Sequence, residues 1–292
     1  MPNIARAVGV LVGIFLGFMG GQARAAPPAE AAGQKIEAEL IVWSGAKTRE
    51  DAESQDMDFL GYSNALSDIL LVESAVLESA KVEGLKPGFF VVALGLCPKD
   101  KVDQPLRIFQ ALYPDVYTRT VKYQVTSETR ALKCPELEEV TQDARDEPVL
   151  WKLKGAERLT QKGKVLVGLA FSYRWDEAGD FARSYFAVKT IYLLIDSKTR
   201  ELVDSKVHEG PSDATKLESF KQEDERIVSS LEYGDPPCDP SGDYFKAWRR
   251  EVKASIARKG IQLVEGKPKL FKEGSCGYAE EARMVTGEGR GD

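Results

Sequence analysis

Histidine is almost missing from this chain: His208 is the only one in 292 residues. A Ser-His-Asp triad would have to be built on it. It sits in DSKVHEGPSD with no G-x-S-x-G elbow beside it, so a surface or turn histidine without a catalytic role is expected. Cysteine stops at four, no two are spaced C-x-x-C, and His208 is far from all of them in sequence. Zinc ligation is therefore not expected, and neither is an EF-hand calcium loop, whose spacing and closing glutamate do not occur. No metal or cofactor is expected at all. Cations are also in deficit. Lys and Arg total 40 against 46 Asp and Glu, a formal net charge of -6 that argues against a nucleic-acid partner.

Long apolar runs are confined to the first residues. Arg6 is followed by 15 largely apolar residues from Ala7 to Gly21, then by Ala23-Arg24-Ala25, a small-x-small cleavage pattern. Residues 1–25 read as a secretory signal peptide. Their removal takes away Arg6 and Arg24 and moves the net charge from -6 to -8. No later stretch is apolar for the ~18 residues a membrane helix needs, so no stable membrane insertion is expected after cleavage. The expected location is the periplasm or the extracellular space. There, Cys97, Cys134, Cys238 and Cys276 read as two disulfides. Four cysteines admit three pairings. Two local loops of similar length favour Cys97–Cys134 and Cys238–Cys276.

The 267 residues that follow exceed the usual size of one domain, so two are expected. Residues 26–35 form an Ala/Pro/Gly linker. In the first domain, 36–134, Ala38–Val42 reads as a strand, and Thr48 with Asp51 marks a helix start. Phe89–Leu94 is apolar on both faces, as in a central strand. A helix is expected near 101–112, and Val116–Val125 alternates as a strand. The order is β-α-β-β-α-β. Residues 135–150 are acidic and read as a connector. In the second domain, 151–276, Val165 to Trp175 alternates as a strand with one buried face. Ser197 to Arg200 reads as a turn, and the whole as an antiparallel β-meander. Two helices, near Asp213–Leu231 and Ser241–Lys259, are expected to pack it, the first with Leu217, Phe220, Ile227, Val228 and Leu231 on one face and the second with Tyr244, Phe245, Trp248, Val252 and Ile256 spaced by threes and fours. The last residues, 277–292, read as a disordered tail. The expected fold class is α+β.

Two stretches of the first domain carry a family resemblance. LIVWSGAKTREDAES and FFVVALGLCPKDKVDQPLRIFQALYPDVYTRTV resemble the SPOR (sporulation-related repeat) family, with Gly45, Ala52 and Gly95 at matching positions. Cys97 and Pro98 depart from its pattern. The residue pattern by itself also admits a ferredoxin-like or an unrelated α+β module. The resemblance implies binding of peptidoglycan glycan strands that have lost their peptides. Trp43, Tyr117, Arg119 and Tyr123 are then the candidate glycan contacts, since aromatic rings stack on sugars and polar groups meet their hydroxyls.

The expected function is thus an exported, non-catalytic cell-envelope binding protein, with glycan strands or an envelope protein as partner. Two other classes stay open: an envelope hydrolase using carboxylates, for which Asp176, Glu177 and Asp180 cluster in one loop, and a structural protein–protein adaptor. Peptide mapping without reductant is expected to recover Cys97 linked to Cys134 and Cys238 linked to Cys276. A free thiol on Cys97 contradicts that plan.

Overall fold

The computed structural model describes residues 35–124, 132–137, 139–140, 149–176, 184–211, 215–234 and 244–275. The first half runs β1 (Lys35–Ala46), α1 (Arg49–Leu66), β2 (Leu70–Leu71), β3 (Ala75–Glu78), β4 (Phe90–Cys97), α2 (Asp103–Leu112) and β5 (Tyr117–Gln124). Thr48 caps α1 by accepting the Asp51 N–H at 3.1 Å. Ala52, Phe59, Tyr62 and Leu66, spaced by helical turns, form its buried face. Strands β3, β4, β1 and β5 form one antiparallel sheet in that order.

Short strands β6 (Glu136–Leu137), β7 (Glu139–Val140) and β8 (Val149–Leu150) lead into the second half. There β9 (Lys152–Gln161), β10 (Lys164–Asp176), β11 (Ser184–Asp196) and β12 (Leu202–Glu209) make a second antiparallel sheet. A third contains β13 (Lys216–Glu223), β14 (Arg226–Gly234), β15 (Tyr244–Ala257) and β16 (Gly260–Glu265), with β17 (Lys269–Ser275) also paired to β15.

The α+β expectation is corrected here: the chain is mainly β, and α1 and α2 are its two α-helices among the described residues. The helices expected near Asp213–Leu231 and Ser241–Lys259 are strands β13, β14 and β15. The reason lies in the spacing. Positions 244, 248, 252 and 256 are four apart, which suits one face of a helix and, being even, one face of a strand equally well. Asp224, in the left-handed region at φ 50, turns β13 back onto β14. Burial of Val252 and Ala254 two residues apart on β15 follows the strand period.

A second correction concerns β10, expected to bury one face. Both are buried. Val165, Val167, Leu169 and Phe171 join Ile191, Leu193 and Ile195 of β11 against Phe59 and Phe109 of the helices. On the other face Leu166, Tyr192 and Leu194 meet Ile227, Ala254 and Ile261 of the third sheet. The layers are therefore sheet, helices, sheet, sheet, and one hydrophobic cluster draws on both halves of the chain. Phe220 locks the last two layers together. Its ring lies so close to Gly155 and Gly168 that a Cβ there would come within 2.6 and 2.8 Å of it.

Cys97 and Cys134, 37 positions apart in sequence, form a disulfide with Cα atoms 4.5 Å apart. A loop of that length is worth about 3–4 kcal/mol in the chain-entropy account. Cys238 and Cys276 lie outside the described residues, as do residues 1–25, expected as a signal peptide, and the tail 277–292; of the expected linker 26–35, only Lys35 is described, and it opens β1. Gly95, the β4 glycine of the family resemblance, has a local packing role. The Lys133–Pro135 segment crosses it so closely that a Cβ would press on Pro135 Cδ and stand 2.6 Å from the Lys133 carbonyl. Gly95→Ala is expected to cost about 1–3 kcal/mol, the range for overpacking, seen as a lower urea midpoint. An unchanged midpoint contradicts this packing.

Candidate functional site

Where the helices, the first sheet and the second sheet meet, they leave a cleft of about 180 Å³. Trp43 and Ser44 of β1 form its floor, and Gln55, Asp58 and Tyr62 of α1 form one wall. Tyr113, just past α2, and Arg158 of β9 stand opposite, with Asp196, Ser197 and Arg200 of the β11–β12 turn at the rim. Trp43 belongs to an aromatic cluster: its ring lies 5.1 Å from Phe59 and 5.5 Å from both Tyr62 and Tyr113. The tilted geometry is the one aromatic quadrupoles favour.

Each polar group is placed by backbone structure. Arg158 Nη1 donates to the carbonyls of Ala111 at 3.2 Å and Leu112 at 2.9 Å, the free end of α2. A cation there also complements the helix dipole. Burial lowers the Arg158 pKa, against the nearby Tyr62 and Asp115. The turn is built on Asp196, whose Oδ1 accepts the N–H of Lys198 at 2.9 Å and of Thr199 at 3.0 Å. Those two backbone donors, Thr199 foremost, hold the Asp196 carboxyl below the usual range. Ser197 Oγ donates to the Gly163 carbonyl at 2.8 Å, tying this turn to the β9–β10 turn. Arg200 takes a left-handed φ of 66°, which aims its guanidinium across the rim to 4.3 Å above the Tyr113 ring.

Tyr62 bridges the halves by donating its hydroxyl proton to the Arg200 carbonyl. Burial first, and then the Asp58 charge, push its pKa up to about 12, while Arg158 and Arg200 pull the other way. Burial and a hydrogen bond to Asp115 also raise Tyr113. Two buried cleft atoms, Ser44 Oγ and Gln55 Oε1, have no hydrogen-bond partner. Buried polar atoms in that state carry a cost of roughly 1–3 kcal/mol that a bound group can remove. The cleft thus offers ring faces, two guanidinium groups and unused hydrogen-bonding capacity in a space for about six waters at ~30 Å³ each.

The four candidate glycan contacts are not brought together. Trp43 points to the helix side of the first sheet, into the cleft floor, and is 8% exposed. Tyr117, Arg119 and Tyr123 share the opposite side with Val121, because alternate β5 residues face alike. Arg119 covers the Tyr117 ring at 5.0 Å, and Tyr117 is 42% exposed. Asp176 is on β10, whereas Glu177 and Asp180 lie outside the described residues. His208 is buried on β12 rather than at the surface, its Nε2 3.4 Å from a Glu265 oxygen at the seam of the second and third sheets. Of the cleft, sequence reasoning singled out Trp43 alone. Arg200 was hidden in the S-K-T-R turn. Arg158 carries no local signal, since it meets Ala111 and Leu112 only after folding.

Among the described residues no helix is long and apolar enough to cross a membrane, and no group of acids, cysteines and histidine could hold a metal ion. No family model, curated protein or solved structure matches the chain.

Because the folded pKa of Tyr62 lies above its ordinary value of 10.0, the folded state keeps a proton that the unfolded chain releases. Its contribution to stability is whole below pH 10 and declines as pH rises toward 12. The urea midpoint is expected to fall across that window and to fall less in Tyr62→Phe. Equal slopes for the two proteins contradict this.

Proposed function

We propose that the chain is an exported, non-catalytic binding protein of the cell envelope that takes a saccharide in this cleft. One observation carries the reading. Aromatic faces from Trp43 and Tyr113, guanidinium groups from Arg158 and Arg200, and the unpartnered Ser44 and Gln55 atoms converge on one small space. Sugars present apolar ring faces together with many hydroxyl donors and acceptors, which matches that mixture. The amino-terminal segment and the Cys97–Cys134 disulfide support export, since disulfides persist in oxidising compartments. The resemblance of the stretches LIVWSGAKTREDAES and FFVVALGLCPKDKVDQPLRIFQALYPDVYTRTV to the SPOR family supports peptidoglycan glycan strands as the polymer.

The test is retention of the mature protein on amidase-treated sacculi. Retention is expected, and Tyr113→Ala is expected to weaken it on the order of tenfold, the scale of a lost stacking contact and its neighbours. Retention no better than that of an unrelated exported protein sinks the proposal. Loss in Tyr117→Ala with none in Tyr113→Ala moves the site to the outer face of β5.

A further inference from the structure

Resting on that reading, we propose that the Arg200 side chain gates the cleft. With no ligand bound, its guanidinium occupies the one aromatic face of the cleft that a sugar ring can reach, and it swings out before a sugar stacks there. Three rings line the cleft, and two of them are shut in. Trp43 and Tyr62 are buried, packed on each other with centroids 5.5 Å apart. Tyr113 is half-buried and stands nearest the rim. Trp43 meets it on the cleft floor at 5.5 Å, and the Arg200 guanidinium lies over the ring, 4.3 Å from its centroid. A sugar stacking on Tyr113 needs that same place over the ring. The two occupants exclude each other.

The backbone decides what can move. The Arg200 N–H donates to the Asp196 carbonyl at 2.8 Å, and the Arg200 carbonyl accepts the Tyr62 hydroxyl. Ser197 donates both its N–H, at 3.0 Å, and its Oγ, at 2.8 Å, to the Gly163 carbonyl. Both backbone groups of Arg200 are therefore held, and they keep it in the left-handed region that few non-glycine residues take. Its side chain has no comparable hold. It is exposed to water at the rim, and a contact between a cation and a ring is weak at such a site. Exposed side chains change rotamer within nanoseconds, while a turn bonded on both sides stays in place. The gate is thus one arginine side chain on a fixed turn. Its closed position competes with the sugar, so the apparent affinity is the intrinsic one scaled by the fraction of molecules in which Arg200 has left the ring.

Two measurements on the mature protein test this, each comparing the natural sequence with Arg200→Ala. The substitution removes the exposed side chain and keeps both backbone bonds, so the turn persists. In binding isotherms on amidase-treated sacculi, Arg200→Ala is expected to bind about two- to fivefold tighter, the fold-change that corresponds to an exposed cation–π contact. Hydroxyl-radical footprinting with no sugar present reads the gate directly. Labelling of Tyr113 is expected to rise in Arg200→Ala while Tyr62 stays protected. Retention of the natural protein with equal or weaker binding by Arg200→Ala overturns the gate and leaves saccharide binding standing. Tyr113 labelling that does not change with the substitution does the same. Retention of neither protein removes the reading beneath it.

Discussion

The two longest neighbouring strands of the middle sheet, β10 and β11, have no face that tolerates water. Leu169, Phe171 and Ile191 point one way, while Leu166, Tyr192 and Leu194 point the other. A sheet with two apolar faces needs a cover on each. The helices with the first sheet supply one cover, and the third sheet supplies the other. The close approach on the second side depends on Gly155 and Gly168, which leave the slot that the Phe220 ring fills. Remove that demand for burial and nothing specifies where the two outer layers sit.

The cleft is a consequence of the same stacking. Helices α1 and α2 fill the space between the first and second sheets, but not as far as the β11–β12 turn. There the Trp43 aromatic cluster runs out into polar groups anchored to backbone: Arg158 on the end of α2, Tyr62 on the Arg200 carbonyl, and Ser197 on Gly163. Each of these contacts joins residues distant in sequence, and together they hold the mouth of the cleft in shape. Positions so determined suit recognition, since little ordering is left for a ligand to impose.

Legibility in sequence followed the range of the interactions. Thr48 and Asp51 mark the start of α1 because a cap is a contact across three residues. The β10 alternation marks a strand for the same reason. The stretch from Ser241 to Lys259 misleads because Tyr244, Trp248, Val252 and Ile256, four apart, fit either period, so only the partner surface decides. Pairing with β14, β16 and β17 makes β15 a strand. For the site, aromatic identity points to Trp43, yet sequence cannot place Trp43 and Tyr117 on opposite sides of their sheet. Gly95 shows the limit from another side. It stands out in sequence as a family-like glycine, and its environment shows it making room for Lys133 and Pro135 beside the disulfide.

By itself the sequence determined composition-level properties: a negative net charge, one histidine, four cysteines, and an amino-terminal segment with the pattern of an export signal. It also determined the local elements whose causes are local, such as the cap of α1 and the alternation of β10. Tertiary structure alone decided that β13, β14 and β15 are strands, that one core serves both halves, and that Arg158, Arg200, Tyr62 and Trp43 share a cleft. The physical reason is that burial is a property of pairs of surfaces. A chain carries each surface in its sequence, while the match between two of them exists only once they are packed.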